Sequence, residues 1–386
     1  MFNILTLNEI STKGTSKLKP EDFIVTSNIP NPDAIMVRSA DMLELELEEN
    51  LLAISRAGAG TNNIPIEKCT QQGIVVFNTP GANANAVKEL VLAGLLLSSR
   101  KIVEGINWTK KLKGENIPSI VEKEKKNFIG PELIGKTLGI VGLGAIGVLV
   151  ANSALSLGLK VIGYDPYLSV RSALLMNNGI NVTENLDEVL GSADYISIHV
   201  PYSQITKNMF DQSLISKIKK GSRLLNFSRG ELVETDAILN ALNTGAISKY
   251  ITDFPCEELL NHENIICIPH LGASTPESEE NCAEMAAVEL AAFLKYGVIR
   301  NSVNFPTCES LYTNKPRITL IHKNIPKMVG QVTNILADEN LNIDNMVNKS
   351  KGEIAYTLVD LDELHHTERI LSLLEKIPGM IKVRLI

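Results

Sequence analysis

At 386 residues, with 44% apolar residues and a net charge of −7, the chain has room for two or three globular domains and lacks the basic balance that nucleic acid demands. Cysteines 69, 256, 267, 282 and 308 are odd in number and without CxxC spacing, so neither a disulfide framework nor a zinc site is expected, and a reducing, cytoplasmic setting is. The stretch Met1 to Leu5 reads as a strand rather than a signal peptide, and the apolar patch Leu90 to Leu97 is too short to span a bilayer, so no membrane partner is expected.

Residues 1 to about 80 alternate short strands and helices. Ile4 to Leu7, Ala34 to Val37, Ala53 to Ser55 and Val75 to Asn78 are predicted strands, with helices at Glu44 to Asn50 and Ile66 to Gln72. Several strands exit into polar or glycine-rich turns: Arg38-Ser39, Arg56-Ala57-Gly58 and Asn78 to Gly81. In a parallel α/β sheet, ligands bind outside the carboxyl ends of the strands. One long helix is predicted from Asn83 to Lys111, packing between domains or against a second subunit.

The next stretch carries the strongest signal. Leu138 to Val141 is a buried strand that runs into Gly142-x-Gly144-x-x-Gly147, then a helix to about Leu157, then the strand Val161 to Tyr164 with Asp165 at its end. Gly142 permits the tight turn, Gly144 lets the backbone approach a pyrophosphate, and Gly147 lets helix and strand pack closely. Asp165 suits the two ribose hydroxyls, and with no basic residue directly after it NAD is favoured over NADP. Strand–helix units then repeat to about residue 272, through Tyr195 to Val200, Arg223 to Asn226, Ile251 to Asp253 and Ile265 to Ile268, which predicts a doubly wound parallel sheet. Val200 and Pro201, after His199, read as the wall over the cofactor. Glu277 to Lys295 is a helix leading back to the first domain. From Tyr312 the order becomes β-α-β-β-α-β, a ferredoxin-like unit.

Redox chemistry on an NAD scaffold needs a proton acceptor and a substrate anchor. Three strand-exit turns supply Arg229, Glu257 or Glu258, and His270. An imidazole titrates near neutrality and can take a hydroxyl proton. A carboxylate on its other nitrogen would orient it, and a guanidinium can hold a substrate carboxylate.

Gly142 to Gly147, Asn226-Phe-Ser-Arg-Gly230, Asp253 with an acid five positions later, and Pro269-His270-Leu-Gly-Ala-Ser-Thr275 together resemble the D-2-hydroxyacid dehydrogenases, and within them the members carrying a C-terminal ACT domain. The resemblance covers essentially the whole chain. It implies a flavodoxin-like substrate domain at 1–82, completed by 275–303, a Rossmann-type NAD domain at 83–274, and an ACT-like regulatory domain at 312–386. It implies catalysis by Arg229, Glu258 and His270, and cofactor contacts at Ala145, Ile146, Asp165, Phe227, Ser228, Asp253, Gly272 and Ala273. Arg38, Ser39, Arg56, Ala57 and Gly58 match the substrate loops, with the amides of Ala57 and Gly58 expected on the carboxylate and the arginines on a phosphate. The implied reaction is NAD-dependent oxidation of 3-phospho-D-glycerate in serine biosynthesis, the alternatives being another small 2-hydroxyacid or an NAD-sensing protein. The same resemblance implies an amino-acid effector, serine, at His322, Asn324 and Asn342, and a homodimer or homotetramer. Pro326-Lys327 stands where the ACT pattern usually has Pro-Gly.

Overall fold

A computed structural model describes residues 1–386 as two compact units, one of residues 1–83 with 276–386 and the other of 84–275. The first unit begins with β1 (Phe2–Leu7), α1 (Thr12–Thr15), β2 (Phe23–Thr26), β3 (Ala34–Val37), β4 (Ala53–Arg56), α2 (Ile66–Gln71) and β5 (Val75–Phe77). The strands form a parallel sheet in the order β2-β1-β3-β4-β5, a flavodoxin-like winding. Their carboxyl ends therefore set Asn8, Arg38 and Arg56 along one edge. The helix expected over Glu44 to Asn50 is absent, and tight turns take its place. Glutamates at 44, 46, 48 and 49 repel one another, and Asp41 Oδ1 accepts from Leu43 N at 2.9 Å, an Asx turn that competes with helix.

The second unit opens with α3 (Ala84–Ser99), α4 (Ile102–Thr109) and α5 (Ile117–Glu124). The single long helix expected here is broken at Arg100 and Lys101. Ser98 O is taken by the Arg223 side chain at 2.9 Å, the Ser99 hydroxyl bonds Tyr195 Oη at 2.5 Å, and Ser98 and Ser99 are buried. With its last turn committed to the sheet, the helix cannot simply continue. There follow β6 (Thr137–Val141), α6 (Ala145–Ser156), β7 (Lys160–Tyr164), α7 (Val170–Leu175), β8 (Ile180–Thr183), α8 (Leu186–Ser192), β9 (Tyr195–Ile198), α9 (Gln212–Ile215), β10 (Ser222–Asn226), α10 (Thr235–Asn243), β11 (Ile247–Thr252) and β12 (Ile265–Cys267). The seven parallel strands run β12-β11-β10-β9-β6-β7-β8. One apolar layer holds Val91, Leu95, Val148 and Ala151 from α3 and α6; the other holds Leu190, Ile238 and Leu242 from α8 and α10. Strand order reverses between β6 and β9, and a doubly wound sheet opens its ligand crevice at that point.

Back in the first unit, α11 (Pro276–Tyr296) packs Ala283, Ala286, Ala287 and Leu290 on the five-stranded sheet. Then come β13 (Arg317–Lys323), α12 (Met328–Asp338), β14 (Ile343–Lys351), β15 (Ile354–Leu361), α13 (Thr367–Glu375) and β16 (Met380–Leu385), in an antiparallel sheet ordered β14-β15-β13-β16. This is the ferredoxin-like order. One face is covered by α12 and α13 through Val332, Leu336, Ile370 and Leu374. The other joins the first domain's core, where Ile321, Tyr356 and Leu358 meet Phe77, Leu290 and Phe293. No helix is long and apolar enough to cross a membrane.

Candidate active site

The turn after β6 is built as its glycines require. Gly142 has φ +100°, a left-handed conformation, and a Cβ there would lie 2.8 Å from the His199 backbone. A Cβ on Gly147 would lie 2.0 Å from Gly142 O, so only glycine lets α6 start this close to the strand. Gly144 faces open space, with nothing within 4 Å of its missing Cβ. The N-terminal amides of α6 thus lie beside free volume, the arrangement that receives a pyrophosphate. Asp165 braces the turn: Oδ2 accepts from Leu143 N and Oδ1 from Tyr167 N, both at 2.8 Å. Each oxygen keeps a second lone pair for a ribose hydroxyl.

Across the switch point stands His199. Its amide donates to Val141 O at 2.7 Å, its Nε2 bonds Ser197 Oγ at 2.9 Å, and its Nδ1 has no partner. Burial pushes its pKa down to about 4, so the ring is neutral at physiological pH. Val200 and Pro201 continue the rim from there.

On the other side of β9, the β10 exit turn is fixed from within. Asn226 Nδ2 donates to Arg229 O at 2.8 Å, Ser228 N donates to Asn226 Oδ1 at 3.1 Å, and Ser228 Oγ donates to Ile198 O at 3.2 Å. Phe227 is buried beneath it against Gly94. The next strand ends at Asp253, only 1% exposed, whose Oδ2 accepts from Gly272 N at 3.3 Å while Oδ1 has no partner. Burial raises the Asp253 pKa, and the charges of His270 and Arg229 oppose that rise. Both side chains therefore lie within electrostatic reach of one carboxylate. The His270 ring also packs on Phe254, centroids 4.8 Å apart. Three loops separated in sequence thus converge at one end of the sheet. A buried carboxylate oxygen lacking a donor, at the carboxyl edge of the same sheet that carries the glycine turn, fits the amide end of a nicotinamide.

Two expected contacts are not made. Neither Glu257 nor Glu258 is hydrogen-bonded or ion-paired with His270. Its own backbone amide and the nearby Cys256 thiol hold the Glu258 pKa down instead. The short 3₁₀ turn Glu257–Leu259, pinned by buried Leu259, sets this alternative. In the first unit, the amides of Ser39, Ala57 and Gly58 are already committed, to Asn8 Oδ1 at 3.0 Å, Val37 O at 2.8 Å and Arg56 O at 2.8 Å. The next amides along, Ala59 and Gly60, donate to no protein group and were missed from sequence, although they belong to the same glycine-rich turn. Arg56 Nε donates to Arg38 O at 3.1 Å, and Arg38 pairs with Glu279.

The expected effector trio does not assemble within one chain. Buried His322 spends its ring nitrogens on Lys323 O and Thr357 Oγ1, both at 2.9 Å. Asn324 donates to Gly352 O at 3.1 Å, at one end of β13, whereas Asn342 donates to Asp362 at 2.5 Å, at the other. Seven strand residues at about 3.4 Å each hold the two asparagines roughly 24 Å apart along β13.

The glycine turn, the acid after β7 and the switch point define a dinucleotide-binding protein of the Rossmann type. Residues 92–272 match the family model of the D-isomer specific 2-hydroxyacid dehydrogenase NAD binding domain. The chain belongs to that family. A Schizosaccharomyces pombe protein named "Putative D-3-phosphoglycerate dehydrogenase" is 31% identical, with 100% of this chain and 88% of that protein aligned. The Arabidopsis thaliana "D-3-phosphoglycerate dehydrogenase 2, chloroplastic" is 34% identical over 79% of this chain, which spans about half of it (49%). Among solved structures, NAD+-bound 3-phosphoglycerate dehydrogenase of Entamoeba histolytica is similar with a TM-score of 0.59 and 25% identity, covering 78% of this chain and 98% of that one.

Proposed function

We propose that this protein is an NAD-dependent dehydrogenase that oxidises 3-phospho-D-glycerate at C2 to 3-phosphohydroxypyruvate, the entry step of serine biosynthesis. The observation that carries the reading is Asp253: one buried carboxylate feels both His270 and Arg229, at the carboxyl edge of the sheet that also carries the dinucleotide turn. The names of the relatives, and the arginines at the carboxyl edge of the first sheet, support the phosphorylated substrate.

Gly144, Ala145 and Ile146 would hold the cofactor's pyrophosphate, Asp165 its ribose, and Asp253 its carboxamide. Bound NAD supplies the acceptor for the hydride leaving C2. Arg229 holds the substrate carboxylate and polarises the oxygen on C2. His270 takes the hydroxyl proton and returns it in the reverse direction. Glu258, in the 3₁₀ turn Glu257–Leu259, is the acid assigned to orient His270, turning from Cys256 to the ring. In the first unit, the free amides of Ala59 and Gly60 and the guanidinium of Arg56 are the donors assigned to the substrate's anionic groups. Residues 312–386 act as the ACT-like regulatory domain, and the enzyme works in the cytoplasm.

The test is NADH formation with 3-phosphoglycerate, D-glycerate, D-lactate and 2-hydroxyglutarate. The expected result is preference for the first, with Arg229→Ala losing turnover while NAD affinity is retained. Full turnover by His270→Ala or Arg229→Ala would overturn the assignment.

A further inference from the structure

Helix α11 ties two distant features of the first unit together. At its amino end, Glu279 in the first turn is ion-paired with the Arg38 guanidinium at the exit of β3. The helix dipole favours a carboxylate there. Arg56, from β4, hangs its Nε on Arg38 O at 3.1 Å, so two cations and one anion share this edge of the sheet. Both partners of the pair are partly open to solvent, at 43% and 40% of their side chains.

The helix itself is held along its length. Glu280 binds Lys13 at 2.5 Å and Glu284 binds Lys17 at 2.7 Å. At the carboxyl end, the ferredoxin-like sheet caps the last carbonyls: Arg384 donates to Phe293 O at 2.7 Å and Leu294 O at 3.2 Å, Arg317 to Tyr296 O at 2.8 Å, and Tyr356 to Gly297 O at 2.8 Å. With both ends and the middle anchored, Glu279 can release Arg38 only by moving its own side chain.

We propose that Glu279 is a specificity-determining residue: it competes with the substrate's phosphate for Arg38 and so tunes the site by ligand charge. This rests on the reading that phosphoglycerate binds at this edge. A substrate with one anionic group uses Arg56 and the backbone amides and leaves the Glu279–Arg38 pair intact. One with an additional dianionic group must displace Glu279, and then meets its charge nearby. Since solvent-exposed pairs are weak, displacement is affordable, and its effect on affinity is about threefold to fivefold.

The test uses the full chain as wild type, Glu279→Gln, and the double variant Arg38→Gln with Glu279→Gln. Inorganic phosphate is titrated into each by calorimetry, and KM and kcat are measured for 3-phosphoglycerate and D-glycerate. Expected for Glu279→Gln are phosphate binding threefold or more tighter, an equal fall in KM for 3-phosphoglycerate at unchanged kcat, and a KM for D-glycerate within twofold of wild type. The double variant loses the gain. Unchanged or weaker phosphate binding in Glu279→Gln, or an equal KM shift for both substrates, overturns the proposal. If wild type turns over neither substrate, the dehydrogenase reading fails instead, and the phosphate titration still judges Glu279.

Discussion

Glu289, on α11, offers a stringent check on the packing of the first unit. It is 6% exposed, Oε1 accepts from Asn301 Nδ2, and Oε2 has no partner. Burial pushes its pKa up to about 7, against an ordinary 4.5, and Asn301 and Arg300 only partly offset this. A carboxyl that binds its proton more tightly folded than unfolded stabilises the fold below its unfolded pKa. That contribution is lost as pH rises through the folded value. Between pH 5.5 and 8.0 the linkage relation gives a loss of about 2 kcal/mol for this one group. Glu289→Gln keeps the shape and the Asn301 bond but cannot ionise. Urea unfolding of both proteins at several pH values should therefore show the variant gaining about 2 kcal/mol on wild type across that interval. A difference independent of pH would mean that Glu289 is solvated or paired, and the burial argument would fail.

Two further outcomes are expected. Asp165→Asn should weaken NAD binding roughly tenfold and narrow the preference over NADP, because a carboxylate accepts from two hydroxyls and repels a phosphate; equal NAD affinity by fluorescence titration would refute the ribose contact. Lys327 adopts φ +70° at the start of α12, so Lys327→Gly should stabilise the ferredoxin-like part of the first unit by about 1 kcal/mol. Hydrogen exchange in α12 reads this out, and faster exchange in the variant would refute it.

What the sequence determined is what lies close together along the chain. The strand, glycine turn, helix and acid from Leu138 to Asp165 fall within one βαβ unit, and each glycine's need is a local backbone matter, so the cofactor turn and the three fold types were legible. Four-residue β2 and β8 escaped because short, half-exposed strands carry too little periodicity. The break between α3 and α4 escaped because it depends on Arg223 and Tyr195, about a hundred residues away. Tertiary structure alone decided the rest. Arg38 meets Glu279 across 241 positions, the register of β13 separates Asn324 from Asn342, and the turn that Leu259 pins sets Glu258 without a bond to His270. Spacing in a sequence tells which groups can reach a common place, but a charged or polar side chain goes to the partner the packed fold brings nearest, and that competition is settled only after the core has formed.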